Sequence, residues 1–435
     1  MTAPVPTDPT MTSAAERAEP TLAGQDFSVD TETLTGSDVI RNYLQRFQRG
    51  GDLGLFPALL ALSLLTILFG FLRPESFLSK FNFGNYFTQA APICVLAMGV
   101  TFVLLLGEID LGAGYSAGVC AAILASRLKA DVPLPVALLM AFAAALVMGA
   151  LVGFMVAKIG VPSFIVTLST FLSWQGILLL ITRDGGTIKI ENKAIVAIEN
   201  KNLSVGVGWT MFMVFAACYI GFSVLRVLSR RRQNVATTPL SIVALKSAAL
   251  LVVGSIAVSQ LSANRGNNLR GVPIVVPIVV GLMIILSFVL GRTAWGRHLY
   301  AVGGNTEAAR RAGINVARMK MSAFIVGSLL SCIAGIVLAS RLNSVDPQTG
   351  GNDTLLIAIG AAVIGGTSLF GGRGRIVNAV LGGLVFALIN NGLPLLKKIH
   401  GIDFSAAGPK FIVNGLILLL FASIDATSRR RAAAN

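Results

Sequence analysis

Side chains that catalyse reactions or bind metals are scarce in this sequence of 435 residues. Histidine occurs only at His298 and His400, and the four cysteines lie inside apolar runs without metal-ligand spacing. A phosphate-binding Gly-x-x-x-x-Gly-Lys-Ser/Thr loop is absent from the sequence. We therefore predict that the chain is not an enzyme, holds no metal or cofactor of its own and does not itself hydrolyse ATP.

Two acids, Glu108 and Asp110, follow directly on an apolar run. Acids at membrane depth are costly and often belong to proton or cation paths. However, Gly107, Gly112 and Gly114 flank them, in a segment between two apolar runs. Carboxylates in such segments readily accept hydrogen bonds from free backbone N–H groups. We expect the two acids to position this segment, and an ion path is the alternative.

The most informative stretch is Gly291–Lys320, which reads GRTAWGRHLYAVGGNTEAARRAGINVARMK between two apolar runs. Gly303 and Gly304 predict a turn near its middle. Its many basic residues suit a loop on the cytoplasmic side of a membrane. A basic loop that merely obeys this topology rule is the simpler interpretation.

The residues after that turn predict a short helix. Asn305 or Thr306 supplies an N-cap, and Glu307 falls in the first turn, where the helix dipole favours an acid. Gly313 is a natural C-terminal stop. We expect a helix over Thr306–Ala312 that lies across the cytoplasmic face between two membrane helices.

The composition predicts the elements that carry these residues. Hydrophobic residues make up 54% of the chain and charged residues only 13%, whereas a soluble domain has about a quarter charged. Forty-six glycines suit close helix packing in a membrane. The predicted fold is an all-α polytopic membrane helix bundle. The net charge of +15 comes from short loops between apolar runs, so nucleic-acid binding is not expected.

Segments of about 20 mostly apolar residues are long enough to span a bilayer. They predict about twelve spans (10–12), near 53–72, 86–106, 111–128, 133–156, 164–182, 209–227, 240–260, 273–291, 320–340, 355–370, 375–396 and 409–425. The segments 111–128 and 355–370 are short and rich in glycine, so re-entrant or broken helices are an alternative there.

The distribution of Lys and Arg orients the bundle. The triple arginines at 230–232 and 429–431 and the 292–319 loop favour cytoplasmic N- and C-termini. Residues 1–50 lack an apolar core and predict a disordered cytoplasmic segment. We assign 51–427 to a membrane domain and 428–435 to a basic cytoplasmic tail.

The stretch from Tyr300 to Val316, YAVGGNTEAARRAGINV, resembles the coupling loop of permease subunits in bacterial ABC importers for ribose, xylose and related sugars. Further matches to that family follow the chain in order: GEIDLGAG from Gly107, VPSFIVTL from Val161, IGGTSLFGGRG from Ile364 and NNGL from Asn390. The resemblance covers about residues 85–425.

The resemblance implies a transport subunit of the bacterial inner membrane. In that family the short helix docks into a groove on a separate ATPase, which uses ATP and magnesium. The implied ATPase-coupling residues are Glu307, Ala308, Ala309, Arg310, Arg311 and Gly313. The family motifs also suggest pathway candidates, namely Glu108, Asp110, Gly114, Pro162, Phe164, Asn390 and Asn391. For the two asparagines, hydrogen bonding between helices is favoured over lining a path.

Other implied partners are an extracytoplasmic sugar-binding protein, a second permease copy in a homodimer, and the lipid bilayer. Residues 209–260 look like an added hairpin, which resembles the longer xylose permeases and favours xylose as substrate. The alternative is an ion-coupled secondary transporter of six plus six helices. An internal repeat is also indicated, because Gly107, Leu111 and Gly114 align with Gly365, Leu369 and Gly372 at one offset.

Overall fold

The computed structural model describes residues 55–183, 185–233, 240–265, 269–399 and 402–434. The predicted disordered segment 1–50 lies outside these residues. The helices are α1 Phe56–Leu72, α2 Pro74–Phe77, α3 Lys80–Leu104, α4 Ala113–Lys129, α5 Leu134–Phe154, α6 Ser163–Ile181, α7 Lys193–Asn200, α8 Val205–Arg232, α9 Leu240–Ser262, α10 Val275–Arg292, α11 Ala294–Gly304, α12 Thr306–Arg311, α13 Val316–Leu342, α14 Asn352–Ile364, α15 Ile376–Leu395 and α16 Ala407–Ala434.

Four two-residue strands complete the described elements. Strand β1 (Ile188–Lys189) pairs antiparallel with β2 (Ser344–Val345), and β3 (Lys398–Ile399) pairs antiparallel with β4 (Ile402–Asp403). A π-helical turn, Met155–Ile159, extends α5. The predicted all-α membrane bundle is therefore confirmed.

Eight of the described helices are long and apolar enough to cross a membrane: α3, α5 with its π-helical turn, α6, α8, α9, α10, α13 and α15. The other four predicted spans correspond to α1, α4, α14 and the apolar part of α16. Helix α14 has 13 residues, or about 20 Å at 1.5 Å per residue, which is shorter than a hydrocarbon core of about 30 Å. The count of twelve crossings thus stays a prediction.

The contacts divide the chain into two units, and the larger one contains residues 42–214 and 252–435. Its centre is built around α3 and α13, whose side chains are mostly buried. Small residues let these helices approach closely, as at Gly99, where a side chain would press against the Gly327 carbonyl oxygen. The core therefore uses close backbone packing, which suits a bundle whose outer surface is also apolar.

The chain between α3 and α4, residues 105–112, enters the interior of this unit as a non-helical connection. Glu108 forms an ion pair with Lys320, near the start of α13, whereas Ala117 lies against Gly335. Fifteen residues of helix separate those two points on α13, which is roughly 22 Å. Helix α4 thus begins deep in the bundle rather than at the end where α3 stops.

Helix α14 begins beside α4. The loop 346–351 brings the Thr349 carbonyl oxygen against Gly118 and the Gly350 carbonyl oxygen against Gly114. From there α14 leads to the end that holds Leu105, whose carbonyl oxygen accepts a hydrogen bond from Gly372 N at 2.8 Å. The two segments suspected of being broken helices therefore start next to each other in the interior and run to opposite ends.

The close contact between Gly114 and Gly350 predicts that a side chain at position 114 destabilises the fold. A Cβ on Gly114 would overlap the Gly350 carbonyl oxygen, whereas a Cβ on Gly176 in α6 would meet nothing within 4 Å. We expect Gly114→Ala to destabilise the folded chain by about 1–3 kcal/mol. The control Gly176→Ala should be neutral or slightly stabilising. Thermal unfolding of the purified variants in detergent tests this, and equal melting temperatures for the two would contradict the close approach.

Helix α7 covers the C-terminal end of α13. Asn200 at the end of α7 donates hydrogen bonds to Ser340 O at 2.7 Å and to Asn343 Oδ1 at 3.0 Å. The amide of Glu199 donates to Ser340 Oγ at 3.1 Å. The Glu199 carboxylate is buried, and neither of its oxygens has a hydrogen-bond partner among the described residues. This burial raises the pKa of Glu199 to about 8, although the guanidinium of Arg341 opposes the shift.

The raised pKa predicts how stability depends on pH. The folded chain holds this proton up to about pH 8, whereas an ordinary Glu releases it near pH 4.5. The free energy of unfolding should therefore fall as pH rises from about 4.5 through 8. Glu199→Gln should remove this component and raise the melting temperature at pH 8 relative to the unmodified chain.

The matched control is Glu191→Gln, because Glu191 is an exposed carboxylate on the same connection. It should keep the pH dependence of the unmodified chain. If Glu199→Gln showed that same dependence in thermal unfolding between pH 5 and 8, the buried carboxyl would not be responsible for it.

The described part of the second unit consists of residues 215–233 and 240–251, which belong to α8 and α9. These ranges lie inside the segment 209–260 that looked like an added hairpin. Val227 and Ser247 are buried within it, whereas Phe222, Leu225 and Leu245 expose 62%, 66% and 70% of their surface. These side chains suit an environment of lipid.

Candidate functional site

The predicted short helix is present as α12, between α11 and α13. Asn305 is its N-cap, and the Asn305 side chain accepts a hydrogen bond from Ala308 N at 2.9 Å. Gly313 ends it with a φ of +82°, a conformation that side chains rarely adopt. The amides of Gly313 and Ile314 then donate to carbonyl oxygens of the last turn.

The preceding turn was predicted wrongly. Gly303 and Gly304 are the last residues of α11, a helix that begins after the Thr293 cap. Gly303 is needed for a close approach, because a side chain there would overlap the Leu105 carbonyl oxygen. The reason is tertiary packing, which the local glycine pattern does not reveal.

Helix α12 presents a small and charged outer surface. Ala308 is exposed, whereas Ala309 is buried and anchors the helix to the bundle. Glu307 forms ion pairs with Arg310 at 3.3 Å and Arg311 at 3.4 Å. All three charged side chains are more than half exposed, so these pairs contribute little to stability and leave the charges accessible.

Helix α11, which leads into α12, contacts the connections next to α4 and α14. Tyr300 in α11 donates a hydrogen bond from its hydroxyl to Gly374 O at 2.6 Å, in the connection that follows α14. Gly303 abuts Leu105, in the connection that precedes α4. Gly107 and Gly371 also lie against each other, so the two segments of the suspected internal repeat meet here. We call Ala294–Asn315 the coupling segment.

The two acids of the connection between α3 and α4 have defined partners. Asp110 is buried, and its carboxylate accepts a hydrogen bond from Gly112 N at 2.9 Å just before α4. Glu108 is the partner of Lys320, and the side chains of this pair are 14% and 23% exposed. Both contacts hold the connection between α3 and α4 in place.

The remaining pathway candidates are dispersed. Pro162 immediately precedes α6, and the neighbouring Phe164 exposes 54% of its surface. Asn391 is buried, whereas the Asn390 side chain accepts a hydrogen bond from Asn414 Nδ2 at 3.4 Å. Asn390 therefore joins α15 to α16. This is the hydrogen bond between helices that the sequence favoured for this residue.

The structure adds a cavity of about 550 Å³ at the start of α14, a size typical of small-molecule sites. Its polar lining residues are Gln348, Asp353 and Asn414, and its apolar lining includes Phe386 and Phe411. No hydrogen bond of the Gln348 side chain occurs among the described residues, and Asn414 Oδ1 is buried without a partner there. A few polar groups on an apolar, aromatic wall can bind a small polar molecule such as a sugar.

Comparison with known families decides the class of protein. The family model of the branched-chain amino acid transport system / permease component matches residues 82–422. The chain belongs to this permease family. The match includes the coupling segment, α4, α14 and the residues that line the cavity. This permease matches no solved structure significantly.

Among characterised relatives, the permease is 34% identical over 386 residues to the xylose transport system permease protein XylH of Escherichia coli K12. The alignment covers 87% of this chain and 93% of that protein. It is 31% identical over 366 residues to the ribose import permease protein RbsC of Bacillus subtilis, covering 84% and 91%. The resemblance to sugar permeases seen in the motifs is therefore confirmed.

Proposed function

We propose that this chain is the membrane-spanning subunit of an ATP-driven, binding-protein-dependent sugar importer in the bacterial inner membrane. The identity to xylose and ribose permeases along most of the chain supports a monosaccharide substrate, with xylose favoured. The observation that carries the mechanism is the coupling segment, which contacts the connections next to α4 and α14 through Gly303 and Tyr300.

The mechanism is alternating access driven from the cytoplasmic side. A separate ATPase binds ATP and magnesium and closes, and α12 follows because it is docked in a groove of that subunit. Tyr300 and Gly303 pass the displacement to the segments 105–112 and 365–374. Those segments hold the ends of α4 and α14, so the interior junction of the two helices shifts with them.

The cavity at the start of α14 is the part of the sugar path that this chain supplies. Phe411 and Leu356 at its wall are 57% and 53% exposed, so a second copy of the permease completes the enclosure in a homodimer. An extracytoplasmic sugar-binding protein delivers the substrate at the end capped by α7. Selection of the sugar then rests largely with that protein.

Reconstitution tests the proposal. The chain is placed in proteoliposomes alone, and then together with its ATPase and binding protein. Uptake of radiolabelled xylose, ribose and leucine is measured without ATP and with Mg·ATP on either side of the membrane. We expect xylose uptake only when all three components and ATP are present. Leucine serves as the control because the family description names amino acids.

The competing function is an ion-coupled secondary transporter. Uptake by the chain alone, driven by a proton or sodium gradient, would establish it and end the importer proposal. The contacts of its two candidate coupling acids argue against it, since Glu108 is paired with Lys320 and Asp110 caps a backbone amide.

A further inference from the structure

A cleft of about 290 Å³ lies between α8 and α9, within residues 215–251 of the second unit. Three cationic side chains line it: Arg226 and Arg230 on α8, and Lys246 on α9. The hydroxyl-bearing residues Tyr219 and Ser223 complete its polar lining. We call this the basic cleft. It has no place in the transport mechanism described above.

Among the described residues of the second unit, no acidic side chain compensates the charge of the basic cleft. The sequence from 215 to 251 contains no Asp or Glu. Within the described ranges, Arg226, Arg230 and Lys246 form no ion pair. Arg226 and Arg230 are four residues apart on one helix face, where like charges repel each other. An anion in the basic cleft would relieve that repulsion and accept hydrogen bonds from guanidinium and hydroxyl groups.

The surroundings of the basic cleft decide which anion fits. Phe222, Val227, Ile242 and Val243 also line it, and Phe222 is 62% exposed. The helices that form it are apolar and long enough to cross a membrane. A soluble anion would gain nothing from that apolar wall, whereas a lipid would place its phosphate among the cations and its acyl chain along Phe222.

We propose that the basic cleft binds the phosphate headgroup of an anionic phospholipid. By the positive-inside rule the arginines at 230–232 place this end of the hairpin at the cytoplasmic leaflet, where such a lipid is drawn to basic residues. The bound lipid neutralises the three cations and fixes α8 against α9 at this end. The site belongs to the hairpin and does not depend on the transported substrate.

The test measures lipid binding to the full-length chain. The delipidated protein in neutral detergent is titrated with dioctanoyl phosphatidylglycerol, dioctanoyl phosphatidylcholine or inorganic phosphate, and bound species are counted by native mass spectrometry. The cleft variant carries Arg226→Gln, Arg230→Gln and Lys246→Gln. The control carries Arg231→Gln, Arg232→Gln and Arg292→Gln, which removes the same charge from exposed positions outside the cleft.

We expect phosphatidylglycerol to bind the unmodified chain and the control, and to lose roughly fivefold in affinity for each cleft cation removed, or about 100-fold in the cleft variant. Equal losses in the two variants would reduce the effect to diffuse charge attraction and overturn the site. Equal binding of phosphatidylcholine, or inorganic phosphate that binds as tightly as the lipid, would overturn it as well. Because no transport is measured, failure here leaves the importer proposal untouched.

Discussion

Ala308→Trp is expected to reduce ATP-driven sugar uptake by about 30-fold or more while leaving the chain folded and inserted. Ala308 is exposed on α12, so a large side chain there meets nothing in the chain itself. In the proposed complex it would instead occupy the ATPase groove that holds α12, where displacing a closely packed contact costs about 2 kcal/mol or more. The measurement is uptake by the reconstituted importer, with the amount of co-purified ATPase as a second reading.

The control for this prediction is Ala308→Ser, which keeps the small size and should transport normally. The tryptophan variant should show the same melting temperature as the unmodified chain when purified alone. Normal uptake and normal ATPase recovery in Ala308→Trp would show that α12 is not the docking helix. Loss of folding would be seen in the melting temperature, so the two outcomes separate.

Helix α12 illustrates what local sequence determines well. Its cap at Asn305, its acid at Glu307 and its stop at Gly313 are all within one short stretch, and each acts on neighbouring backbone groups. The helix was therefore predictable to within a residue. Whether it docks on an ATPase stays a prediction, since that depends on a second chain.

The end of α14 shows where reasoning from local sequence stops. Apolar content predicts a span over 355–370, but α14 ends at Ile364 because residues 365–374 pack as a loop on Leu105 and Gly303. Hydrophobicity alone does not distinguish an apolar helix from an apolar loop that is buried by neighbouring backbone. The glycines of that loop signalled a break, but not its position.

The cavity was missed for a different reason. Gln348 lies on the connection into α14, Asp353 lies in the first turn of α14, and Asn414 lies on α16, after the whole of α15. No short motif joins them, because only the folding of α14 against α16 brings them to one wall. The nearest signal was Asn390, which turned out to contact Asn414. Asn414 is a polar residue isolated in an apolar run, which is the same signal that the acids near Gly107 give.

Removing the polar groups of the cavity should slow transport without uncoupling the ATPase. The variant is Gln348→Met with Asn414→Leu, two changes that keep side-chain volume and remove hydrogen-bonding groups. Each lost hydrogen bond to the sugar should cost about 1 kcal/mol or more, so the maximal uptake rate should fall roughly 30-fold for the pair. Binding-protein-stimulated ATP hydrolysis should persist, because the coupling segment is unchanged.

The design of this test depends on how the polar residues are held. The Gln348 side chain has no hydrogen-bond partner among the described residues. The turn is held by the backbone N–H of Gln348, which donates to Asp346 Oδ1, so replacing the side chain spares the turn. Leu356→Met is the control, since it alters the same wall without removing a polar group. A double variant that transports as fast as this control would place the sugar path elsewhere. Slowed uptake with intact ATP hydrolysis would instead place the sugar path along the cavity wall at the start of α14.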